Sequence, residues 1–508
     1  MKLKLGESLF FEKIFKSYSG IYAIILLASV LFFYQIDTES LWLDETFSIV
    51  SAQTRNSLNF NRPLYFFLLK IWLYFGESDA WLRSLSVLFG LISVWLTYRI
   101  GHDLVNRSVG LIAALLVTLS PFVINHAQEV RMYVLSMCLS LAGSLALTRL
   151  IRTWRMPDIL WWLVFRCLAV LTTPINILLF APDALILGWH FRQYNSTALR
   201  WVLKKWWLLL LITLALAVVL KDIVPPLVAF LLELKTNNSV GIPAFIGAIT
   251  KFTIWKLESP LEAVDRFYEP IFLNIYTLGL LLLLAIAGLR KHRNTEIYWL
   301  FAWGFVPLII LFALAQVIPT IWGVTRYLLF TAPYIFLLLA TGIETLWRRQ
   351  RILAVLMVLI YAIAVSGSLY NYYGKVQRED WRGVVSTINL EENIGDRIVL
   401  FPKNHLPAFE HYYQGNNNIA TLDRLSKAQM RQIVDRQAAE KLLEGMPSFE
   451  TRLWFVMASA HQSIRDSQQI VPQVLAENFH IKQAQQFHEI ELFLLENQEL
   501  TSAKDSKK

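Results

Sequence analysis

Long apolar runs recur along most of the chain and constrain its fold more than any other feature. Crossing the hydrocarbon core of a bilayer takes about 20 mostly apolar residues. Such runs predict eleven transmembrane helices, with approximate cores at Gly20–Ile36, Leu82–Ile100, Val109–Ile124, Tyr133–Leu150, Ile159–Thr173, Ile175–Phe191, Trp206–Lys221, Pro270–Leu289, Tyr298–Val317, Tyr327–Trp347 and Ile352–Tyr370. We therefore expect a mainly α-helical, polytopic membrane protein.

The distribution of charge predicts the topology. The net charge is +9, but only 17% of the residues are charged and the mean hydropathy is +0.46. The basic residues cluster in every second loop between apolar runs, as the positive-inside rule requires when the N-terminus is cytoplasmic. This pattern is typical of cytoplasmic loops and argues against a nucleic-acid partner. Both cysteines, Cys138 and Cys167, lie inside apolar runs, which disfavours a disulfide or a cysteine metal site.

Three regions follow from composition. Residues 1–370 form the predicted membrane domain, with long outer loops at 37–81 and 224–269, and the apolar stretch Pro63–Phe75 is too short to span and predicts an interfacial helix. Residues 371–500 have the composition of a small α/β domain, placed on the outer face by the odd helix count. Residues 501–508 predict a disordered tail. Within the α/β domain we expect strands at Arg397–Phe401 and Arg452–Ala458, a helix at Lys427–Glu444, and one or two strands in His480–Leu495.

Two polar motifs fall in outer loops. Asp44 and Glu45 follow the first apolar run, and Glu129 and Arg131 lie between the third and fourth runs. Each motif is also compatible with an ordinary hydrated loop, and Glu129 with a simple ion-pair partner for Arg131. Together they place carboxylates and a guanidinium at one level of the membrane, which indicates chemistry at its outer surface.

Two charges lie inside predicted spans. Arg166 precedes Pro174 by eight residues and Asp183 follows it by nine, so a hairpin that turns at Pro174 brings both to a similar depth. Ionisable groups within the bilayer are usually paired and face inward. The spacing predicts a structural ion pair in preference to a donor site.

Short motifs recur in a particular order: Asp44-Glu45, Arg62-Pro63-Leu64-Tyr65, Trp81-Leu82-Arg83, Leu119-Ser120-Pro121-Phe122, Gln128-Glu129-Val130-Arg131-Met132-Tyr133, Thr325-Arg326-Tyr327 and Glu379-Asp380-Trp381-Arg382-Gly383. This order resembles the dolichyl-phosphate-mannose:protein mannosyltransferase and aminoarabinose-transferase superfamily, whose members are membrane glycosyltransferases of the GT-C fold. The likeness is to the bacterial family 39 and RgtA-D-like members, and it covers Leu41 to about Leu150.

The resemblance implies sugar transfer, with inversion, from a polyprenyl-phosphate donor to a protein, lipid or cell-envelope glycan hydroxyl at the bacterial plasma membrane. By position in the motifs, Asp44 would be the general base and Glu45 would orient the acceptor or the sugar. Arg131 and Arg326 would bind the donor phosphate, because guanidinium matches phosphate oxygens bidentately. The remaining orienting or acceptor-binding candidates are Glu129, Gln128, Tyr133 and Arg62.

The chain departs from the family pattern at two places. Family members often carry His-Pro-Pro where this chain has Asn61-Arg62-Pro63, and a histidine near Thr172-Thr173-Pro174. A divalent metal beside the carboxylates is compatible with the sequence but is not required, since arginines can neutralise the phosphate. In the tail domain, His405 and His411 are interpreted as packing or surface residues.

Other functional classes stay open at this point. A flippase or transporter of lipid-linked glycan would carry ionisable groups throughout the bundle and broken helices at the midplane. A noncatalytic scaffold would tolerate loss of Asp44. Within the enzyme class, an oligosaccharide ligase or polymerase is the alternative.

Overall fold

The computed structural model describes residues 19–54, 62–194, 240–254, 262–289, 296–318, 322, 325–422, 436–447, 452–458 and 470–496. They fall into two compact units. The first is drawn from residues 1–36 and 54–375, and the second from residues 37–53 and 376–508.

Helices make up the first unit, apart from α2, most of which belongs to the second. In chain order they are α1 (Ser19–Phe33), α2 (Leu43–Thr54), α3 (Pro63–Leu73), α4 (Asp79–Leu104), α5 (Arg107–Leu119), α6 (Pro121–Ala127), α7 (Tyr133–Thr153), α8 (Met156–Thr172), α9 (Phe180–Tyr194), α10 (Ile242–Thr253), α11 (Glu262–Leu289), α12 (Ile297–Ala315), α13 (Ala332–Arg349) and α14 (Arg351–Gly374). Short 3₁₀ helices, Pro174–Leu179 and Thr325–Thr331, precede α9 and α13.

The predicted mainly helical membrane fold is confirmed. Every predicted span coincides with helical structure except Trp206–Lys221, which lies outside the described residues. Within the described part of the chain, seven helices are long and apolar enough to cross a membrane, or eight if one bent pair is a single span. The count of eleven spans stays a prediction.

The third predicted span is not one straight helix. Where the sequence predicts a helix over Val109–Ile124, α5 ends at Leu119 and α6 begins at Pro121, with a bend of 64° between them. The proline ring cannot donate to the preceding turn, and it is well suited to the first position of a new helix. Ser120 caps α6 by accepting from the Val123 amide at 3.2 Å, and its hydroxyl donates to the Phe252 carbonyl at 2.6 Å.

A buried polar network joins several spans around Arg166 and Asp183. Arg166 donates from Nε and Nη2 to the two oxygens of Asp183 at 2.7 and 3.0 Å, and both side chains are almost fully buried. The indoles of Trp162 and Trp303 each donate to the same carboxylate at 2.8 Å. The guanidinium also donates to α7, and a Cβ added at Gly143 would lie 2.6 Å from its Nη1 atom. The pair therefore connects α7, α8, α9 and α12.

We expect Asp183→Ala to lower the free energy of unfolding by about 3–5 kcal/mol, because it leaves Arg166 buried without its carboxylate. The double replacement Arg166→Leu/Asp183→Leu should be milder, since it removes both charges together. Thermal unfolding of the purified proteins in one detergent measures the difference. Equal damage from the two variants would contradict a structural ion pair.

The second unit contains a mixed five-stranded sheet of order β2-β1-β3-β5-β4. Its strands are β1 (Arg397–Phe401), β2 (Asn418–Thr421), β3 (Arg452–Ala458), β4 (His480–Phe487) and β5 (Ile490–Glu496). β1 pairs in parallel with β2 and β3, whereas β5 pairs antiparallel with β3 and β4. The nearly continuous apolar sequences of β1 and β3 agree with burial on both faces of the sheet.

Helices cover both faces. Those of the tail region are α15 (Trp381–Glu391), α16 (Leu406–Tyr412), α17 (Arg436–Glu444) and α18 (Ile470–Asn478). α15 and α16 pack on one face through Trp381 and Phe409, and α17 and α18 on the other through Ala439 and Leu475. The predicted small C-terminal α/β domain is confirmed. Of the predicted helix Lys427–Glu444, the structure describes only the part that α17 forms.

The predicted first outer loop, residues 37–81, is divided between the two units. Residues 37–53, which we call the acidic segment, belong to the second unit with the C-terminal domain. Asp44 and Glu45 were interpreted as lying in a loop, but they occupy the first turn of α2. Carboxylates are favoured there because they face the positive end of the helix dipole.

Candidate functional site

The acidic pair of the second unit is held differently at its two positions. Glu45 is fully buried, and its Oε2 atom accepts from the backbone amide of Trp42 at 3.3 Å. Arg378 lies 3.9 Å from the same oxygen. Asp44 is only partly buried. The two neighbouring carboxylates are therefore not equivalent: one is enclosed and fixed, and the other is more open to an incoming group.

Three arginines of the first unit converge on two tyrosine rings. The guanidinium carbons of Arg131 and Arg326 lie 5.6 and 5.7 Å from the centroid of the Tyr133 ring. Arg62 lies 5.5 Å from the centroid of the Tyr327 ring and donates to its hydroxyl at 2.5 Å. The two rings meet edge to face, with centroids 5.4 Å apart. We call these five residues the arginine cluster.

The arginine cluster assembles residues from three distant parts of the sequence. Arg131 and Tyr133 come from the turn before α7, Arg62 immediately precedes α3, and Arg326 and Tyr327 lie in the 3₁₀ helix before α13. Cation–π contacts hold guanidinium groups close to tyrosine faces while leaving N–H groups for other acceptors. Such an arrangement of like charges is suited to binding an anion.

Glu129 lies in a buried polar group beside this turn. Its carboxylate accepts from the Asn125 amide at 2.9 Å and lies 3.0 Å from Nδ1 of His126. Its backbone carbonyl accepts from the Ser86 hydroxyl at 2.6 Å. Sequence analysis did not single out Asn125 or His126. Their spacing of four and three residues before Glu129, across the end of α6, is the signal that could have found them.

Gln128 connects several helix ends. Its amide nitrogen donates to the backbone carbonyls of Phe32 and Tyr34 at 2.9 and 2.8 Å. Its amide oxygen accepts from the Tyr372 hydroxyl at 2.5 Å. These contacts favour a structural role for Gln128, holding the turn that carries Arg131 against the ends of α1 and α14, over its predicted role in binding acceptor.

The described residues contain no group of three or more histidine, cysteine, aspartate or glutamate side chains placed to hold one metal ion. Arg62 stands where family members often carry a histidine, and its guanidinium is part of the arginine cluster. Positive charge at this position therefore comes from a side chain.

The described helices and sheet domain define a multi-pass membrane protein of the GT-C fold. The fold is similar to that of the oligosaccharyltransferase of Archaeoglobus fulgidus in its apo form, with 11% identity, a TM-score of 0.52, and coverage of 86% of this chain and 69% of that one. ArnT from Cupriavidus metallidurans bound to undecaprenyl phosphate has 12% identity, a TM-score of 0.45, and coverage of 95% and 98%. The mycobacterial arabinofuranosyltransferase AftD has 16% identity, a TM-score of 0.47, and coverage of 87% and 37%.

Residues 61–237 match the family described as dolichyl-phosphate-mannose-protein mannosyltransferase. No curated protein sequence matches. The family match and the fold identify the chain as a membrane glycosyltransferase related to family 39, as its motifs predicted.

We expect Gln128→Leu to lower the free energy of unfolding by about 1–3 kcal/mol, because it leaves buried backbone carbonyls and the Tyr372 hydroxyl without a partner. Thermal unfolding in detergent checks this. Gln316→Leu is the matched control, since the exposed amide of Gln316 also donates to backbone carbonyls. A Gln128 variant as stable as the control would show that the connection is dispensable.

Proposed function

We propose that the protein transfers a sugar from a polyprenyl-phosphate-linked donor to an acceptor hydroxyl at the outer face of the plasma membrane. The observation that carries this proposal is the convergence of Arg62, Arg131 and Arg326 on the rings of Tyr133 and Tyr327. A lipid-linked donor presents a phosphodiester beside the membrane, and three guanidinium groups supply the charge and the N–H donors to bind it.

Electrostatics explains why a cluster of this kind suits the donor. Breaking the bond between the anomeric carbon and the phosphate oxygen leaves polyprenyl phosphate with an additional negative charge. Guanidinium groups bind phosphate oxygens through parallel N–H bonds, and they do so more strongly as charge accumulates. The aromatic rings fix the arginines before the donor arrives, which lowers the reorganisation needed during the reaction.

The acceptor side of the reaction needs a base. Asp44 takes the proton from the acceptor hydroxyl while its oxygen attacks the anomeric carbon from the face opposite the phosphate. A new carbon–oxygen bond forms, the bond to phosphate breaks, and the electron pair leaves with polyprenyl phosphate. The sugar is inverted at the anomeric carbon. Partial exposure of Asp44 and enclosure of Glu45 support this division, in which Glu45 orients the reacting groups.

The proposed partners follow from this chemistry. The donor is a polyprenyl-phosphate sugar, the acceptor is a protein, lipid or cell-envelope glycan hydroxyl, and membrane lipids surround the helical unit. The N-terminus is cytoplasmic and the C-terminal domain extracytoplasmic, on the basis of the alternating basic loops.

Arg131→Met and Arg326→Met should each lower kcat/KM for the donor by about 10- to 100-fold, because a hydrogen bond to a charged group contributes about 1.5–3 kcal/mol. Transfer of radiolabelled sugar from a mixed polyprenyl-phosphate-sugar pool in membranes measures the effect. Arg349→Met, at an exposed position of the same unit, controls for loss of one positive charge. Equal rates for the cluster variants and the control would place donor binding elsewhere.

Asp44→Asn should lower kcat by about 10²- to 10⁴-fold, since the amide cannot accept the acceptor proton. The same labelled-sugar assay applies, with expression level and thermal stability matched to the wild type. A variant that transfers as fast as the wild type would remove Asp44 from the role of base. If the wild type transfers no sugar but moves lipid-linked glycan between leaflets, the protein is a transporter instead.

A further inference from the structure

The acidic segment is fastened to the C-terminal part of the second unit at several points. Oε1 of Glu39 accepts from the Gln377 backbone amide at 2.6 Å, and the Ser40 hydroxyl accepts from the Arg382 amide at 3.0 Å. The backbone amide of Leu41 donates to the Tyr412 hydroxyl at 2.7 Å. The contacts join residues more than 330 positions apart, so the conformation of the acidic segment depends on the C-terminal domain.

Arg378 makes the contact nearest to the proposed chemistry. Its Nη1 atom lies 3.9 Å from Oε2 of Glu45, and its Nε atom lies 3.7 Å from Oε2 of Glu39. The Arg378 side chain is 8% exposed, and that of Glu45 is fully buried. A buried carboxylate is costly unless a positive group or hydrogen bonds compensate for lost water, so Arg378 stabilises Glu45 where it lies.

The second arginine of this region, Arg382, has a different environment. It contacts Asp37 at 2.8 Å, but the two side chains are 35% and 60% exposed. An exposed ion pair contributes little, because water and salt screen it. Arg382 therefore anchors the start of the acidic segment, whereas Arg378 acts on its buried carboxylate.

We propose that Arg378 is a positioning residue for Glu45, and that the C-terminal domain completes the catalytic acidic segment by supplying it. This rests on the proposed function, in which Asp44 and Glu45 serve sugar transfer. Arg378 fixes the Glu45 carboxylate on the first turn of α2, immediately beside the proposed base. The domain that carries Arg378 then has a direct role in catalysis, in addition to any role in acceptor choice.

A double-mutant cycle on the full-length protein tests this assignment. Arg378→Met should lower kcat by up to about 10²-fold through displacement of Glu45, with a smaller change in donor KM. Arg378→Lys should restore part of the rate, since it keeps the charge. In a Glu45→Gln background the Arg378→Met substitution should cost little more, because the charge it acts on is already absent. Arg436→Met is the control, on an exposed surface of the same unit.

Hydrogen–deuterium exchange supplies a second measurement that does not depend on activity. In the absence of Arg378, peptides covering residues 41–54 should exchange faster, whereas Arg436→Met should leave them unchanged. Equal losses of kcat in the wild-type and Glu45→Gln backgrounds would overturn the positioning role, and unchanged exchange would overturn the attachment itself. If the wild type transfers no sugar, the proposed function fails, and the exchange measurement still decides whether Arg378 holds the segment.

Discussion

The helical unit depends on the rule that a charge within a bilayer needs a partner inside the protein. Arg166 and Asp183 satisfy it with a bidentate ion pair, and two indole N–H groups complete the shell of the carboxylate. The partners come from separate helices, so the network has full value only when those helices are assembled. Apolar packing between lipid-facing helices carries little information about register, because lipid tails are as apolar as leucine side chains. A buried polar network supplies that information.

The arginine cluster applies the same physics with an opposite result. Positive groups collected beside tyrosine rings are held in place by the rings, but the rings do not neutralise them. The cluster thus combines a fixed geometry with an unspent affinity for anions. The bend after Leu119 contributes to it, because ending α5 early produces the turn that carries Arg131 toward the residues before α13. Gln128 and Ser86 then hold that turn through backbone contacts.

The second unit has its own organising feature, a sheet whose central strands are covered on both faces. This stable body carries the chain segment that holds Arg378, and through it the acidic segment of the early sequence. A carboxylate pair on a short helix has little to hold it in isolation, since short helices are marginal in water. Attachment to a packed domain provides the rigidity that a catalytic group requires.

The sequence by itself determined the features that depend on neighbouring residues. Hydropathy located the helices, apolar runs located β1 and β3, and equal distances from Pro174 located the Arg166–Asp183 pair, because each signal is local or symmetric about a turn. Motif order located Asp44, Arg131 and Arg326 as site residues. Only the tertiary structure decided that Tyr327 and Arg62 join Arg131, that His126 and Asn125 flank Glu129, and that residues 37–53 belong with the C-terminal domain. Those contacts link positions up to several hundred residues apart, and no local pattern of hydrophobicity or charge encodes which distant side chain will fill a given position.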